Sequence, residues 1–347
     1  MKQVYIVIIS ILTFSSCEKE KKVAPNALSG LYIINEGNFN FGNAEVSYYN
    51  PQKSEVTNGL FFARNGFQLG DVAQSMYVQD STGFIVVNNS SKIEVVRMPS
   101  LQWLRTITLP NSSPRYFLPI NDSLAYVSEL YAKKIWVVNY LNGTVTGSIV
   151  TTGWTEKMYK SGNWVFVQQK KNALLPGSYG TILKINTSNH TLQNANLFNG
   201  RDVLDLVIDK AGDLWVGVNE DTASQVKAAI YCYDTNLQLK KQFDFAAYGQ
   251  KASIMSYNTQ TDELYYVNQQ VYKLPSSATQ LPSAHVISTA GKNIYAMYVH
   301  SASGDIYLSD ALDFVQPAQI SRYHANGDFI HSFTAGVISG NFIFYEP

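Results

Sequence analysis

Short apolar or alternating runs, separated by turn residues, follow one another through most of the chain. The clearest stretch, from Ala73 to Leu109, reads AQSMYVQ, GFIVVNN, KIEVVRM and WLRTITL, with turn formers such as Asn88-Asn89 and Pro99-Ser100 in its gaps. A period of two and an abundance of β-branched and aromatic residues predict strands. Few stretches have the apolar spacing of a helix, so the pattern predicts an all-β protein.

The same four-strand unit recurs at roughly 40 to 50 residues, which is the length of a propeller blade. The third copy reads RYFLPI, LAYVSEL, KIWVVNY and VTGSIVT, and the sixth reads IMSYNT, ELYYVN, VYKLPS and AHVIST. Turns such as DSTG, DKAG and SASG precede an aromatic-rich second strand, as a tight first hairpin requires. The repeats therefore predict a β-propeller.

The first copy supplies only three strands, LYIINEG, EVSYYNP and VTNGLFF, while the tail FIFYE has no blade of its own. We expect this tail, Phe342 to Glu346, to become the innermost strand of the blade that begins at Leu31. The prediction is then a seven-bladed ring that occupies residues 30–347 as a single domain. A ring of six or eight blades, a β-sandwich pair and an open solenoid are the alternatives.

The N-terminus carries an export signal. Met1-Lys2-Gln3 precedes the apolar run VYIVIISILTF, which is too short to cross a bilayer of about 30 Å. The segment FSSC resembles a bacterial lipobox, so we expect residues 1–16 to be a signal peptide and Cys17 to be lipidated. Residues 17–29 then form a charged tether. Cys232, in the alternating stretch AAIYCYD, is expected to be a buried strand residue.

Composition and motifs narrow the class of function. Equal numbers of basic and acidic residues, 26 of each, and the lack of a basic stripe argue against nucleic-acid binding. The five histidines show no metal-ligand spacing, and no nucleophile, P-loop or calcium-loop motif occurs. We therefore expect a protein that is not an enzyme and needs no cofactor.

The connections that leave the second and fourth strands are long, polar and aromatic, whereas the opposite connections are short turns. Long loops on a rigid scaffold form the usual binding face of a propeller, because the strands hold them while their sequence varies. Aromatic rings offer stacking surface there, and polar groups offer hydrogen bonds. The candidate ligand-binding residues are Asn35, Asn38, Phe39, Phe41, Phe67, Gln68, Arg115, Tyr131, Trp154, Tyr179, Arg201, Tyr248, Lys251 and Phe314.

Carboxylates near the same loops are candidates for a calcium cluster of the kind that some propeller lactonases use. The set is Glu36, Asp71, Asp202, Asp205 and Asp310. Asp71 and Asp202 fall at equivalent places in GDV and RDV, which favours a role in capping neighbouring turns over a metal site.

The opening LYIINEGNFNFGNAEVSYYNP, soon after a lipobox, together with repeats such as IWVVN, resembles the YncE-like propeller lipoproteins of Bacteroidetes. Within that group the chain is similar to the BtuG surface lipoproteins, which capture cobalamin over an outer-membrane TonB-dependent transporter. The resemblance covers essentially the whole mature chain. It implies a corrinoid ligand, a transporter partner and a lipid anchor in the outer membrane at the cell surface.

Three functions remain open from the sequence. The leading one is a surface lipoprotein that captures a nutrient, cobalamin or a related corrinoid first, and hands it to a transporter. The second is a protein-interaction or glycan-binding scaffold, and the third is a calcium-dependent lactonase-like hydrolase. A rigid neutral face without an activated nucleophile favours binding.

Overall fold

The computed structural model describes residues 29–171, 177–193 and 196–346, which form seven antiparallel sheets. The sheets are the blades of a β-propeller, which confirms the predicted fold class. The signal peptide and Cys17 lie outside the described residues.

The element bounds follow the repeat. Blade 1 contains β1 (Gly30–Asn35), β2 (Glu45–Asn50) and β3 (Glu55–Thr57), and helix α1 (Leu60–Asn65) follows it. Blades 2 and 3 contain β4 (Ala73–Gln79), β5 (Thr82–Val87), β6 (Lys92–Arg97), β7 (Gln102–Thr108), β8 (Pro114–Pro119), β9 (Leu124–Glu129), β10 (Lys134–Asn139) and β11 (Thr144–Val150). Blades 4 and 5 contain β12 (Trp154–Ser161), β13 (Trp164–Lys170), β14 (Thr181–Asn186), β15 (Leu192–Gln193), β16 (Val203–Ile208), β17 (Leu214–Val218), β18 (Ala229–Tyr233) and β19 (Leu239–Asp244). Blades 6 and 7 contain β20 (Met255–Asn258), β21 (Glu263–Asn268), β22 (Gln270–Pro275), β23 (Ile294–Val299), β24 (Ile306–Asp310), β25 (Pro317–Tyr323) and β26 (Phe329–Val337), and β27 (Ser339–Tyr345) is the last strand.

The last strand closes the ring. β27 pairs antiparallel with β1, from Gly30 opposite Tyr345 to Asn35 opposite Ser339, and so becomes the innermost strand of blade 1. Asn35 ties the joint together, because its Oδ1 accepts hydrogen bonds from Ser339 Oγ at 2.6 Å and from the Gly336 N–H at 3.1 Å. The predicted closure is confirmed, with the strand beginning at Ser339 rather than at Phe342.

The apolar core is divided among the junctions between blades. Within the described residues there are seven buried clusters, one for each pair of neighbouring blades around the ring. The cluster between blades 7 and 1 joins Phe342 and Leu31 to Tyr307 and Phe333. Burial at this junction holds the two ends of the chain together.

One expected strand is shorter than predicted and another is absent. In VTNGLFF the strand ends at Thr57, and Leu60–Asn65 forms a helix because Glu45 accepts hydrogen bonds from the N–H groups of Phe61 (2.7 Å) and Phe62 (3.1 Å). In blade 6 the segment AHVIST makes only an isolated bridge, from Ile287 to Val271, so this blade has three strands.

The antiparallel order places the connections from second to third strand, and from each blade to the next, on one face around the channel. This long-loop face includes residues 36–44 and 311–316. Gly30 starts β1 at the opposite face, because β1 runs toward Asn35 and the long loops. In the described part of the chain no helix is long and apolar enough to span a bilayer.

Candidate functional site

The inner strands share an irregularity at the long-loop end. In six of the seven, the register with the neighbouring strand shifts near this end. A β-bulge takes residues out of the ladder and re-aims their side chains. The residues released include Gln74, Arg115, Glu156 and Tyr295, from four different blades.

These side chains meet Glu36 at the end of the channel. Arg115 pairs with Glu156 through two contacts, Nε to Oε2 at 2.9 Å and Nη2 to Oε1 at 3.0 Å, and its Nη1 donates to Gln74. Gln74 Nε2 donates to Glu36 Oε1 at 3.4 Å, and the Tyr295 hydroxyl donates to the same oxygen at 2.8 Å. We call Glu36, Gln74, Arg115, Glu156 and Tyr295 the mouth ring.

Among the described residues, Glu156 of the mouth ring is paired with Arg115, whereas the Glu36 carboxylate has no ion-pair partner. Burial raises the pKa of its carboxyl to about 7, although the charge of Arg115 and the hydrogen bond from Tyr295 act in the opposite direction. Gly340 makes space for this carboxyl, since a Cβ at that position would collide with Glu36 Oε1 and lie 3.0 Å from the Tyr295 ring. The carboxyl is therefore poised to change charge near neutral pH.

A second ion pair lies beside the mouth ring. Lys157 Nζ is 2.7 and 3.0 Å from the two carboxylate oxygens of Asp205. The same carboxylate accepts hydrogen bonds from the N–H groups of Met255 at 2.7 Å and Leu206 at 2.8 Å. Asp205 thus accepts a hydrogen bond from the inner edge strand of the next blade and also balances the charge of Lys157.

The channel behind the mouth ring has a volume of about 800 Å³ and is lined by all seven inner strands. Four of the six methionines, Met76, Met158, Met255 and Met297, occupy matching places in the inner strands and are buried between blades. Phe117 and Phe342 take the same place in blades 3 and 1. The channel therefore combines a polar end with apolar walls.

Two loops of the long-loop face carry exposed aromatic rings. Phe39 is 63% exposed and Phe41 is 76% exposed in the loop 36–44, and Phe314 is 39% exposed in the loop 311–316. The loops are joined by Asn38, whose Nδ2 donates to the Phe314 carbonyl at 2.7 Å. The Phe314 ring packs edge-on against Tyr295, 5.7 Å between centroids. The aromatic surface is thus held directly next to the mouth ring.

The fourteen candidate residues occupy different positions around this face. Arg115 lies in the mouth ring, Phe314 contacts it, and the Trp154 ring lies 5.8 Å from the Arg115 guanidinium. Asn38, Phe39 and Phe41 lie in the loop 36–44. Tyr131, Tyr248, Gln68 and Lys251 are exposed and Tyr179 is half-buried on other connections of this face.

Three candidates have internal contacts instead. Asn35 is buried in the closing joint, and Arg201 binds the Tyr231 hydroxyl at 2.5 Å and two backbone carbonyls. Phe67 packs edge-on against Trp103 of the outer strand β7, away from the channel. A ligand role for the candidate set stays a prediction.

The candidate calcium carboxylates do not assemble into one cluster within the described residues. Asp71 accepts from the Asn40 N–H at 2.9 Å, Asp202 from the Lys171 N–H at 2.7 Å, and Asp310 from the Asn293 N–H at 2.9 Å. Each carboxylate therefore caps a neighbouring loop, as the repetition of GDV and RDV favoured.

Elsewhere in the described residues, Asp209, Asp213 and Cys232 have ligand atoms within 4.8 Å of one another beside a cavity of about 370 Å³. Asp209 accepts hydrogen bonds from the N–H groups of Ala211 and Asp213 and from Trp215 Nε1, and Lys240 pairs with Asp213. Burial raises the pKa of the Cys232 thiol to about 12. These contacts hold the turn from Asp209 to Asp213 in place. Cys232 is a buried strand residue, as the sequence predicted.

Sequence reasoning missed Gln74, Glu156, Lys157 and Tyr295. A signal exists, because Gln74, Arg115, Glu156 and Tyr295 each stand two positions before the Met or Phe of the inner strand. An alignment of the repeats on that residue brings the polar positions into one column.

Comparisons with known proteins agree on the architecture. Residues 29–334 match the sequence family described as Domain of unknown function (DUF5074). No curated protein matches the chain.

Solved structures show the same fold. The chain is similar to a quinonprotein alcohol dehydrogenase-like protein from Bacteroides thetaiotaomicron, with a TM-score of 0.74, 12% identity, and coverage of 91% of this chain and 78% of that one. It is also similar to virginiamycin B lyase from Staphylococcus aureus, with a TM-score of 0.59, 13% identity, and coverage of 75% and 83%. Hydrazine synthase from Kuenenia stuttgartiensis gives a TM-score of 0.62, 11% identity, and coverage of 88% and 98%. At these identities the likeness concerns the fold alone.

Proposed function

We propose that this chain, which belongs to the DUF5074 family, is a binding protein whose ligand rests over the channel mouth of the long-loop face. The observation that carries the proposal is an exposed aromatic surface on two joined loops, one of which contacts a polar ring of bulged side chains. Exposed aromatic groups on fixed loops bind at low cost in conformational entropy. The mouth ring supplies hydrogen-bonding groups beside this surface.

The ligand proposed first is a corrinoid, from the resemblance of the chain to cobalamin-capturing lipoproteins. A corrin ring is broad, amphipathic and fringed with amides, so it needs stacking surface and many neutral hydrogen-bond partners. In this proposal it lies across the mouth, with Phe39, Phe41 and Phe314 against its apolar surface. The protein binds the ligand without converting it.

Calorimetric titration with cyanocobalamin and cobinamide tests the proposal. We expect binding at micromolar protein concentration and a loss of about tenfold or more for Phe39→Ala, Phe41→Ala or Phe314→Ala. Phe329→Ala is the matched control, because Phe329 is 58% exposed on the outer strand of blade 7 at the opposite face. The absence of heat with both corrinoids would sink the corrinoid proposal.

We further propose that the protein is anchored in the outer membrane at the cell surface through lipidated Cys17. Gly30 starts at the face opposite the mouth, so a tether of residues 17–29 would attach behind the binding face. Extended, such a tether reaches roughly 40 Å. This arrangement leaves the mouth free to meet a ligand and then a TonB-dependent transporter in the same membrane.

A specific observation favours a second role for the same face, that of docking a protein. Leu312, Phe314 and Val315 are exposed on a blade 7 loop, and Asn38 ties that loop to the blade 1 loop that carries exposed Phe39 and Phe41. Apolar patches of this kind mark interaction sites. Affinity purification from the outer membrane with wild-type bait and with the double variant Phe41→Ala and Val315→Ala tests this role. We expect a transporter to be recovered with wild type only, and equal recovery with both baits would contradict the docking role.

A further inference from the structure

Six of the residues that line the channel are tyrosines. Tyr77, Tyr116, Tyr159 and Tyr298 come from the inner strands of blades 2, 3, 4 and 7, and all four line the channel. Each is half-buried. Four blades therefore contribute a phenol to one cavity.

The hydroxyl groups of these four tyrosines have no hydrogen-bond partner in the described part of the chain. The other two tyrosines of the channel differ, since Tyr295 donates to Glu36 at 2.8 Å and Tyr257 donates to Asp262 Oδ1 at 2.6 Å. None of the four hydroxyls is fully enclosed, so each keeps some access to solvent. Each is free to donate one hydrogen bond and to accept others.

Burial keeps these phenols neutral. It raises the pKa of Tyr116 and Tyr159, and also of Tyr77 and Tyr298, above the ordinary value of 10.0. At physiological pH the channel therefore presents uncharged hydroxyl groups rather than phenolates.

Two ion pairs line the channel, and in each the charges are used by the partner. Arg115 is paired with Glu156, and Lys157 is paired with Asp205, which also accepts the Met255 N–H. Breaking a buried pair to bind an ion leaves an uncompensated charge and costs several kcal/mol. These two pairs therefore favour a neutral molecule. The other charged residues of the lining are Glu36 at the mouth, and Lys160 and Lys170 near the ends of strands β12 and β13.

The remaining walls are apolar, with Met158, Phe117 and Phe342 among the lining residues, and the volume is about 800 Å³. This volume is in the range of sites that enclose small ligands. A molecule with hydroxyl groups at its edges and C–H groups on its faces matches both the phenols and the apolar walls.

We propose that the channel holds a second binding site, for a small neutral polyhydroxylated molecule of mono- or disaccharide size. This site goes beyond the proposed function of the mouth and does not depend on it. Its donors and acceptors are the free tyrosine hydroxyls, with Tyr116 and Tyr159 closest to the Lys157–Asp205 pair, whose charges influence the pKa of both phenols.

Saturation-transfer NMR and calorimetry with glucose, maltose and cellobiose test this site, with glucuronate and glucosamine as charged probes. We expect at least one neutral sugar to bind below about 10 mM. We expect Tyr116→Phe and Tyr159→Phe each to weaken that binding about five- to tenfold, because each removes one hydrogen bond and keeps the ring. Tyr272→Phe is the matched control, because Tyr272 is half-buried on strand β22 and does not line the channel, so sugar affinity should be unchanged.

The same variants distinguish a failure of the channel proposal from a failure of the mouth proposal. The channel variants should retain corrinoid affinity, and Phe41→Ala should retain sugar affinity. The channel proposal is overturned if no neutral sugar binds wild type, if the charged probes bind as tightly as the neutral ones, or if both Tyr→Phe variants bind like wild type.

Discussion

Glu36 shows how a single buried residue couples the channel mouth to pH. Its carboxyl is enclosed by the mouth ring and by Gly340, and burial raises its pKa from 4.5 to about 7. Because the folded state binds this proton more tightly than the unfolded state does, the associated stability is complete below about pH 4.5. It is lost as pH rises toward 7.

Glu36→Gln should remove this pH dependence. The shift corresponds to roughly 3 kcal/mol, so the wild-type free energy of unfolding should fall by up to about that amount between pH 4.5 and 7 relative to the variant. Urea denaturation across this range measures it. Parallel pH profiles of wild type and Glu36→Gln would contradict the prediction.

Gly340 has a steric role beside Glu36. Alanine there has its Cβ against the Glu36 carboxyl and the Tyr295 ring, so Gly340→Ala should destabilise the protein by about 1 to 3 kcal/mol. Gly147→Ala on the exposed strand β11 is the matched control, since a Cβ there meets nothing within 4 Å. Thermal denaturation compares the two, and an equal effect would show that the clash is relieved without cost.

At the scale of elements, the bulged inner strands and the closing strand decide what the fold can do. The bulges turn a regular edge into a polar ring, and β27 joins the chain ends in one sheet. Phe342 of β27 is buried between blades 7 and 1, whereas Phe329 of the neighbouring β26 is exposed.

Phe342→Ala should therefore lower the free energy of unfolding by about 3 to 5 kcal/mol, because it leaves a cavity in the junction that closes the ring. Phe329→Ala, the same substitution at an exposed position, should change it by less than about 0.5 kcal/mol. Chemical denaturation measures both. Similar small losses would mean that closure does not depend on this core.

At the scale of the molecule, the two faces have separate tasks in the proposed function. The long-loop face carries the mouth, while the chain enters at the opposite face through Gly30. Lipid chains partition into a bilayer through burial of their CH₂ groups, so an anchor behind the mouth would hold the protein at the membrane.

Cys17→Ser should abolish incorporation of labelled fatty acid and release the protein from the membrane fraction. Cys232→Ser is the control, because that thiol is buried inside blade 5 and should not affect the label. Fractionation after metabolic labelling checks both. Label retained in the Cys17→Ser variant would refute the assignment of the anchor.

The sequence by itself determined the repeat, the number of blades and the closing tail, because period-two runs and turn residues are local signals that each blade repeats. It also located the long loops, where Phe39, Phe41 and Phe314 lie exposed. It did not reveal that LFF begins a helix, since that depends on the Glu45 carboxylate accepting the helix N–H groups from another segment.

Only the tertiary structure decided which residues form the mouth. Its side chains come from different blades and stand at bulges, namely Gln74, Arg115, Glu156 and Tyr295. A bulge interrupts the apolar–polar alternation from which strands are predicted. Ring closure then brings these side chains to Glu36, and burial there raises the pKa of its carboxyl. A site assembled across a ring depends on distances between segments far apart in the chain, and local pattern does not contain those distances.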